Sequence, residues 1–106
     1  MTRNEELIFG LKRWVYKTIT YVGNLNDEEF FNNDLVFDAC CYCIEVISEI
    51  GEFLANEEEI KLLYKDVNFE ALKDLKKNCF QGDNINLSLI YETITISFPN
   101  LLKLLK

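Results

Sequence analysis

The chain has 106 residues, 49% of them hydrophobic, and a formal net charge of −7. That length fits one domain, residues 1–106, with a modest core, and the acidic balance works against non-specific RNA or DNA binding, which runs on lysine and arginine neutralising phosphates. The chain has no histidine, which excludes Ser-His-Asp and Cys-His nucleophilic systems, histidine-bearing zinc sites and histidine phosphotransfer.

The N-terminal Met1-Thr2-Arg3-Asn4-Glu5-Glu6 is polar and lacks the apolar stretch of a secretory signal, and no segment reaches the ~20 apolar residues of a membrane span. The expectation is a cytoplasmic protein without membrane contact. Thr2 and Glu5 have capping-box spacing, and Leu7, Ile8, Leu11, Trp14, Val15, Ile19 and Val22 recur at helical intervals up to a stop at Gly23-Asn24. Residues 24–33 read as a loop with one turn capped by Asp27. Asn33 or Asp34 then opens the longest helix, about Leu35 to Leu54. It carries two apolar stripes, Val36-Cys40-Cys43-Ile47-Ile50-Leu54 and Ala39-Val46-Ile50-Phe53, a wider face than a surface helix needs. One stripe belongs to a bundle core, and the second suits either the core or another chain.

Asn56 can cap a short helix from Glu57 to Tyr64. Asn68 can cap the next, with Phe69, Leu72, Leu75 and Cys79 inward and Lys73, Lys76 and Lys77 sharing the other face. Gln81-Gly82-Asp83-Asn84 interrupts the pattern. Ile90 to Phe98 is rich in β-branched residues and has strand propensity, but Leu87, Tyr91, Ile94, Phe98, Leu101 and Leu105 keep helical spacing, and no other segment offers a strand to pair with. Pro99 is expected to kink or restart this helix. The whole reads as all-α: an up-down bundle of four main helices plus short helical turns. The four cysteines, Cys40, Cys41, Cys43 and Cys79, include a C-x-x-C pair placed mid-helix, away from the helix N-terminus that a redox pair needs; buried free thiols are the simpler reading.

Ile44-Glu45-Val46-Ile47-Ser48-Glu49-Ile50-Gly51-Glu52-Phe53-Leu54 resembles the helix carrying the "IGEA" signature of HepT-like proteins of the HEPN superfamily. Val67-Asn68-Phe69-Glu70-Ala71-Leu72 is similar to their "I-P-W-x-x-I" segment, with Phe69 at the tryptophan position, and Phe98-Pro99-Asn100-Leu101 to their "L-P-x-L". The resemblance runs from about Glu6 to the end of the chain. It implies a HEPN-like helical homodimer, the toxin half of a toxin–antitoxin pair whose antitoxin is a minimal nucleotidyltransferase. It also implies descent from metal-independent endoribonucleases, with no cofactor and no metal.

The family's active-site arginine and histidine positions fall on Lys76 and Gln81, with Lys77 after the first, Gly82 retained, and Asp83 at the position of a tyrosine that the antitoxin can adenylylate. Lys76 keeps a cation but loses the planar guanidinium fork. Gln81 cannot carry a proton, and losing a general acid–base costs about 10²- to 10⁴-fold in rate. Asp83 lacks a phenol and repels phosphate. Lys73, Lys76 and Lys77 are candidate phosphate or RNA contacts, weak ones at this net charge, or else a solvated helix face balanced by Glu70 and Asp74. Glu52 and Asp83 are candidate cleft residues. Trp14, Phe53 and Phe69 are either partner anchors or core. The expectation is a catalytically impaired docking protein. The alternatives are a non-catalytic helical adaptor outside the toxin families and an endoribonuclease with substituted active-site residues.

Overall fold

The computed structural model describes residues 1–106. Helix α1 (Arg3–Val22) begins at the expected box: the Glu5 amide donates to Thr2 Oγ1 at 3.2 Å, and the Thr2 amide donates to Glu5 Oε1 at 3.3 Å. Each bond satisfies an amide that the first helical turn leaves open. Gly23, at φ 52°, ends the helix in a conformation that side-chain-bearing residues rarely adopt.

Helix α2 (Asp27–Phe31) is capped by Asn26, not Asp27. Asn26 stands three residues before Glu29, so the two close a second reciprocal box at 2.8 and 3.0 Å. Asp27, one position too late for that, accepts only from the adjacent Glu28 amide. The turn drives Phe30 into the core, against Phe31, Phe37 and Tyr91 at centroid distances of 5.5–5.8 Å. Tyr91 Oη donates to the Leu25 carbonyl at 2.8 Å and ties the C-terminal helix to this loop.

Helix α3 (Asp34–Ala55), capped by Asn33, is the central element and packs along α1 and against α5. Cys40, Cys43, Ile47 and Leu54 of its first stripe are buried, with Ile44 beside them; the second stripe stays half-buried or exposed. Asn56, expected to cap the next helix, instead ends α3 and donates back to the Glu52 carbonyl at 3.2 Å. Helix α4 (Glu58–Leu63) follows Glu57, whose side chain makes no capping bond.

The segment read as one lysine-bearing helix is two: α5 (Phe69–Lys73), capped by Asn68, and α6 (Leu75–Cys79), meeting at Asp74. A small antiparallel hairpin follows, β1 (Phe80–Gln81) with β2 (Asn84–Ile85), turning through Gly82 at φ 60°. The closing helix runs as α7 (Leu87–Glu92), a π segment (Thr93–Ser97) and α8 (Phe98–Leu104). Pro99 stands in the first turn of α8, where a new α-helical segment begins as expected. The Phe98 amide bonds to the Thr93 carbonyl five residues back. In the first turn of α8 the missing proline N–H removes no bond that the helix requires. The fold is all-α apart from the hairpin, and no helix is long and apolar enough to cross a membrane.

Gly51 fixes the approach of α3 to α5. A Cβ there would stand 2.8 Å from Leu72 Cβ and 3.0 Å from the Lys73 amide nitrogen, so backbone would have to move. Gly51→Ala is expected to destabilise the fold by about 1–3 kcal/mol, as overpacking does. Urea unfolding should give a lower midpoint at an unchanged slope; a wild-type midpoint would contradict this contact.

Candidate functional site

One turn before Gly51, on the same side of α3, stands Ser48, only 5% exposed. Its hydroxyl donates to the Lys73 carbonyl at 2.6 Å and accepts from the Lys76 amide at 3.3 Å. The α5–α6 break leaves both backbone groups without a regular helical partner, and one side chain from α3 satisfies them together. This bond pair and the Gly51 contact hold the break against α3, and so set where the lysines project.

They project into an open groove of about 600 Å³. Lys73, Lys76 and Lys77 form one wall and Glu45, Glu49 and Glu52 of α3 the other, with Tyr42 and Phe80 also at its border. No ion pair crosses it: the two close pairs of the molecule, Lys61–Glu58 at 3.6 Å and Lys73–Glu70 at 3.7 Å, each lie within one helix. Lys76 and Lys77 therefore have no carboxylate partner within 4.0 Å, and the two walls nearly cancel in charge. Such a groove attracts a phosphate chain far less than a uniformly cationic cleft does.

Of the residues singled out in the sequence, Lys73, Lys76, Lys77 and Glu52 come together here. Gln81 and Asp83 do not. The hairpin turns the chain back directly after α6, with the Asn86 amide bonded to the Cys79 carbonyl at 2.9 Å. Gln81 consequently lines a separate shallow groove of about 410 Å³ with Asn78, Asn84, Asn86 and Ser88. Asp83 sits exposed at the turn and borders neither groove. Sequence reasoning missed Ser48 and the acidic partners Glu45 and Glu49. The recurrence of Glu45, Glu49 and Glu52 at i, i+4 and i+7 was the available signal for the second wall.

Phe69 is core, at 3% exposure, whereas Phe53 is open to solvent with Arg3 stacked 5.3 Å from its ring centre. Trp14 is half-buried and meets exposed Tyr42 edge-on at 5.8 Å. The cysteines are free. Burial, and secondarily the Cys43 and Cys41 thiols, pushes Cys40 up to about 12; burial, then Asp38, pushes Cys41 up to about 11; burial alone pushes Cys79 up to about 11. Protonated thiols are poor nucleophiles and poor metal ligands, and nowhere do three potential metal-binding side chains converge.

No family model matches the chain, and neither a curated protein nor a solved structure does.

Ser48→Ala strands the Lys73 carbonyl and the Lys76 amide and is expected to cost about 1–3 kcal/mol. Hydrogen exchange at the Lys76 amide should quicken more than in the rest of α6; uniform exchange across α6 would contradict the staple. The thiols set a pH limit. Their folded values lie above the ordinary 9.0, so the unfolded chain ionises first on raising pH. Stability should be undiminished by them below about pH 9 and fall from there toward about 12. Unfolding midpoints from pH 7 to 10.5 check this, with Cys40→Ser/Cys41→Ser/Cys79→Ser flattening the decline.

Proposed function

We propose that this chain is a docking protein of the HepT-like toxin family, catalytically impaired, that pairs with itself and with a nucleotidyltransferase-type antitoxin. The carrying observation is the composition of the groove. Its lysines face carboxylates, and Gln81, at the family's histidine position, lines a different concavity. No residue able to exchange a proton near neutral pH stands beside Lys76 in the role the family gives to histidine. Two further features support the reading. The "IGEA"-like and "I-P-W-x-x-I"-like segments meet in space through Gly51 and Leu72. Along α3, Leu35, Ala39, Tyr42, Val46, Ile50 and Phe53 recur at intervals of three or four residues, and Leu35, Tyr42 and Phe53 are 83%, 59% and 46% exposed, an apolar stripe suited to a second helix.

The split charge of the groove favours a polypeptide over RNA as the occupant. A protein surface can offer cations to Glu45, Glu49 and Glu52 and anions to Lys76 and Lys77 together; a polyanion meets repulsion on one wall.

Three measurements test the proposal. Sedimentation should give a dimer, and Tyr42→Glu/Phe53→Glu a folded monomer. Purified chain should retain a minimal nucleotidyltransferase of the antitoxin type in pull-down, and Lys76→Glu/Lys77→Glu should weaken retention at least tenfold. RNA incubated with the chain in chelator should stay intact. Brisk cleavage abolished by Lys76→Ala would overturn the impaired-catalyst reading, and failure to retain the nucleotidyltransferase would overturn the partner.

A further inference from the structure

Helix α1 turns to solvent a face that the fold leaves uncovered. Ile8, Leu11, Val15, Thr18 and Val22 are its buried side. Away from them Phe9, Arg13, Tyr16 and Thr20 recur at i, i+4, i+7 and i+11, all exposed, with half-buried Lys12 and Lys17 flanking the row. Phe9 and Tyr16 are 58% and 65% exposed, so two large rings stand mostly in water.

The charge of this face is opposite to that of the molecule. The chain carries −7 overall, yet from Leu7 to Asn26 it has Lys12, Arg13 and Lys17 and no carboxylate. None of these cations lies within 4.0 Å of a carboxylate, because the close ion pairs are Lys61–Glu58 and Lys73–Glu70. Lys17 instead lies over the Trp14 ring, 4.6 Å from its centre. Glu5 and Glu59 stand with Phe9 and Lys12 along the groove between α1 and α4, so the surface changes sign toward the N-terminus.

We propose that this face docks an acidic amphipathic helix of a partner protein. Phe9 and Tyr16 lie two turns apart, about 10.5 Å along the axis, the repeat at which a packed helix presents its own apolar residues. Carboxylates flanking that partner stripe meet Lys12, Arg13 and Lys17, and cations without an internal partner give up no pairing to bind them. A nucleic acid or an anionic bilayer fits the face less well. Either one carries its negative charge past the cations to Glu5 and Glu59, against a net charge of −7. A helix can confine its carboxylates to the stretch that the cations occupy. The face shares no residue with the lysine groove, so this inference holds or fails separately from the docking reading above.

The probe is a fluorescein-labelled synthetic peptide of about 20 residues, long enough to hold a helix, with leucines at i, i+3, i+4 and i+7 spacing and glutamates beside them. It is titrated with the full chain and read by anisotropy. The expected result is saturable binding that weakens as salt is raised. Arg13→Glu/Lys17→Glu should weaken it about tenfold or more, since like charges then face each other, and Phe9→Ala/Tyr16→Ala should weaken it comparably. Lys76→Glu/Lys77→Glu should leave it unchanged. These positions are exposed or half-buried, and an unchanged far-UV circular dichroism spectrum checks the fold of each variant. Equal binding of the same peptide with lysine in place of glutamate, no saturation, or no loss in Arg13→Glu/Lys17→Glu would overturn the proposal. Tighter binding of oligothymidylate or of phosphatidylserine vesicles would do so too, as would loss of self-association in that variant, which makes a second copy the occupant.

Discussion

At residue 51 there is no room for a side chain. The backbone of α5 crosses α3 so closely that a methyl group on Gly51 would overlap Leu72 and press on the Lys73 amide. Ser48, one turn earlier, completes the contact by bonding to both sides of the α5–α6 break. An i, i+3 pair of small residues, Ser48 and Gly51, thus holds the junction between the two short helices in place. A close backbone approach and a two-sided hydroxyl act together here, because either one alone would leave the broken helix with unpaired polar groups in a nearly buried position.

The electrostatic character of the surface follows from that junction. With α5 and α6 pressed onto α3, the lysine row looks across at Glu45, Glu49 and Glu52 rather than out to solvent alone. The separation exceeds ion-pair contact, so the charges neither neutralise each other nor pay the ordering cost of surface pairs. The groove presents both signs on facing walls, and reads to an approaching molecule as a pattern, not a net charge. Patterned charge gives specificity and register in protein association.

The closing helix shows a different compromise. Its β-branched run, Thr93 to Ile96, and Pro99 each disfavour a regular α-helix. Yet Ile90, Ile94, Phe98, Leu101 and Leu105 are all buried and hold it against α1 and the rest of the core. Packing outweighs propensity, and one π turn joins the two α-helical parts.

Sequence by itself determined what is local. The caps at Thr2, Asn33 and Asn68 were legible because each side chain reaches an amide only three residues away, and the apolar spacing fixed the long helices and the helical state of residues 87–105. The missing histidine was equally plain. At the site, the lysine row and Glu52 could be read from helical periodicity. Only the tertiary structure decided that the lysine helix breaks at Asp74, that Asn26 and not Asp27 opens α2, that the hairpin carries Gln81 out of the groove, and that α3 supplies a second, acidic wall. A capping bond is a contest within one turn of chain. The break at Asp74 is held by Ser48, which bonds to a carbonyl 25 residues later in the sequence, and which charges face each other depends on how closely two distant helices pack, a distance that no run of neighbouring residues encodes.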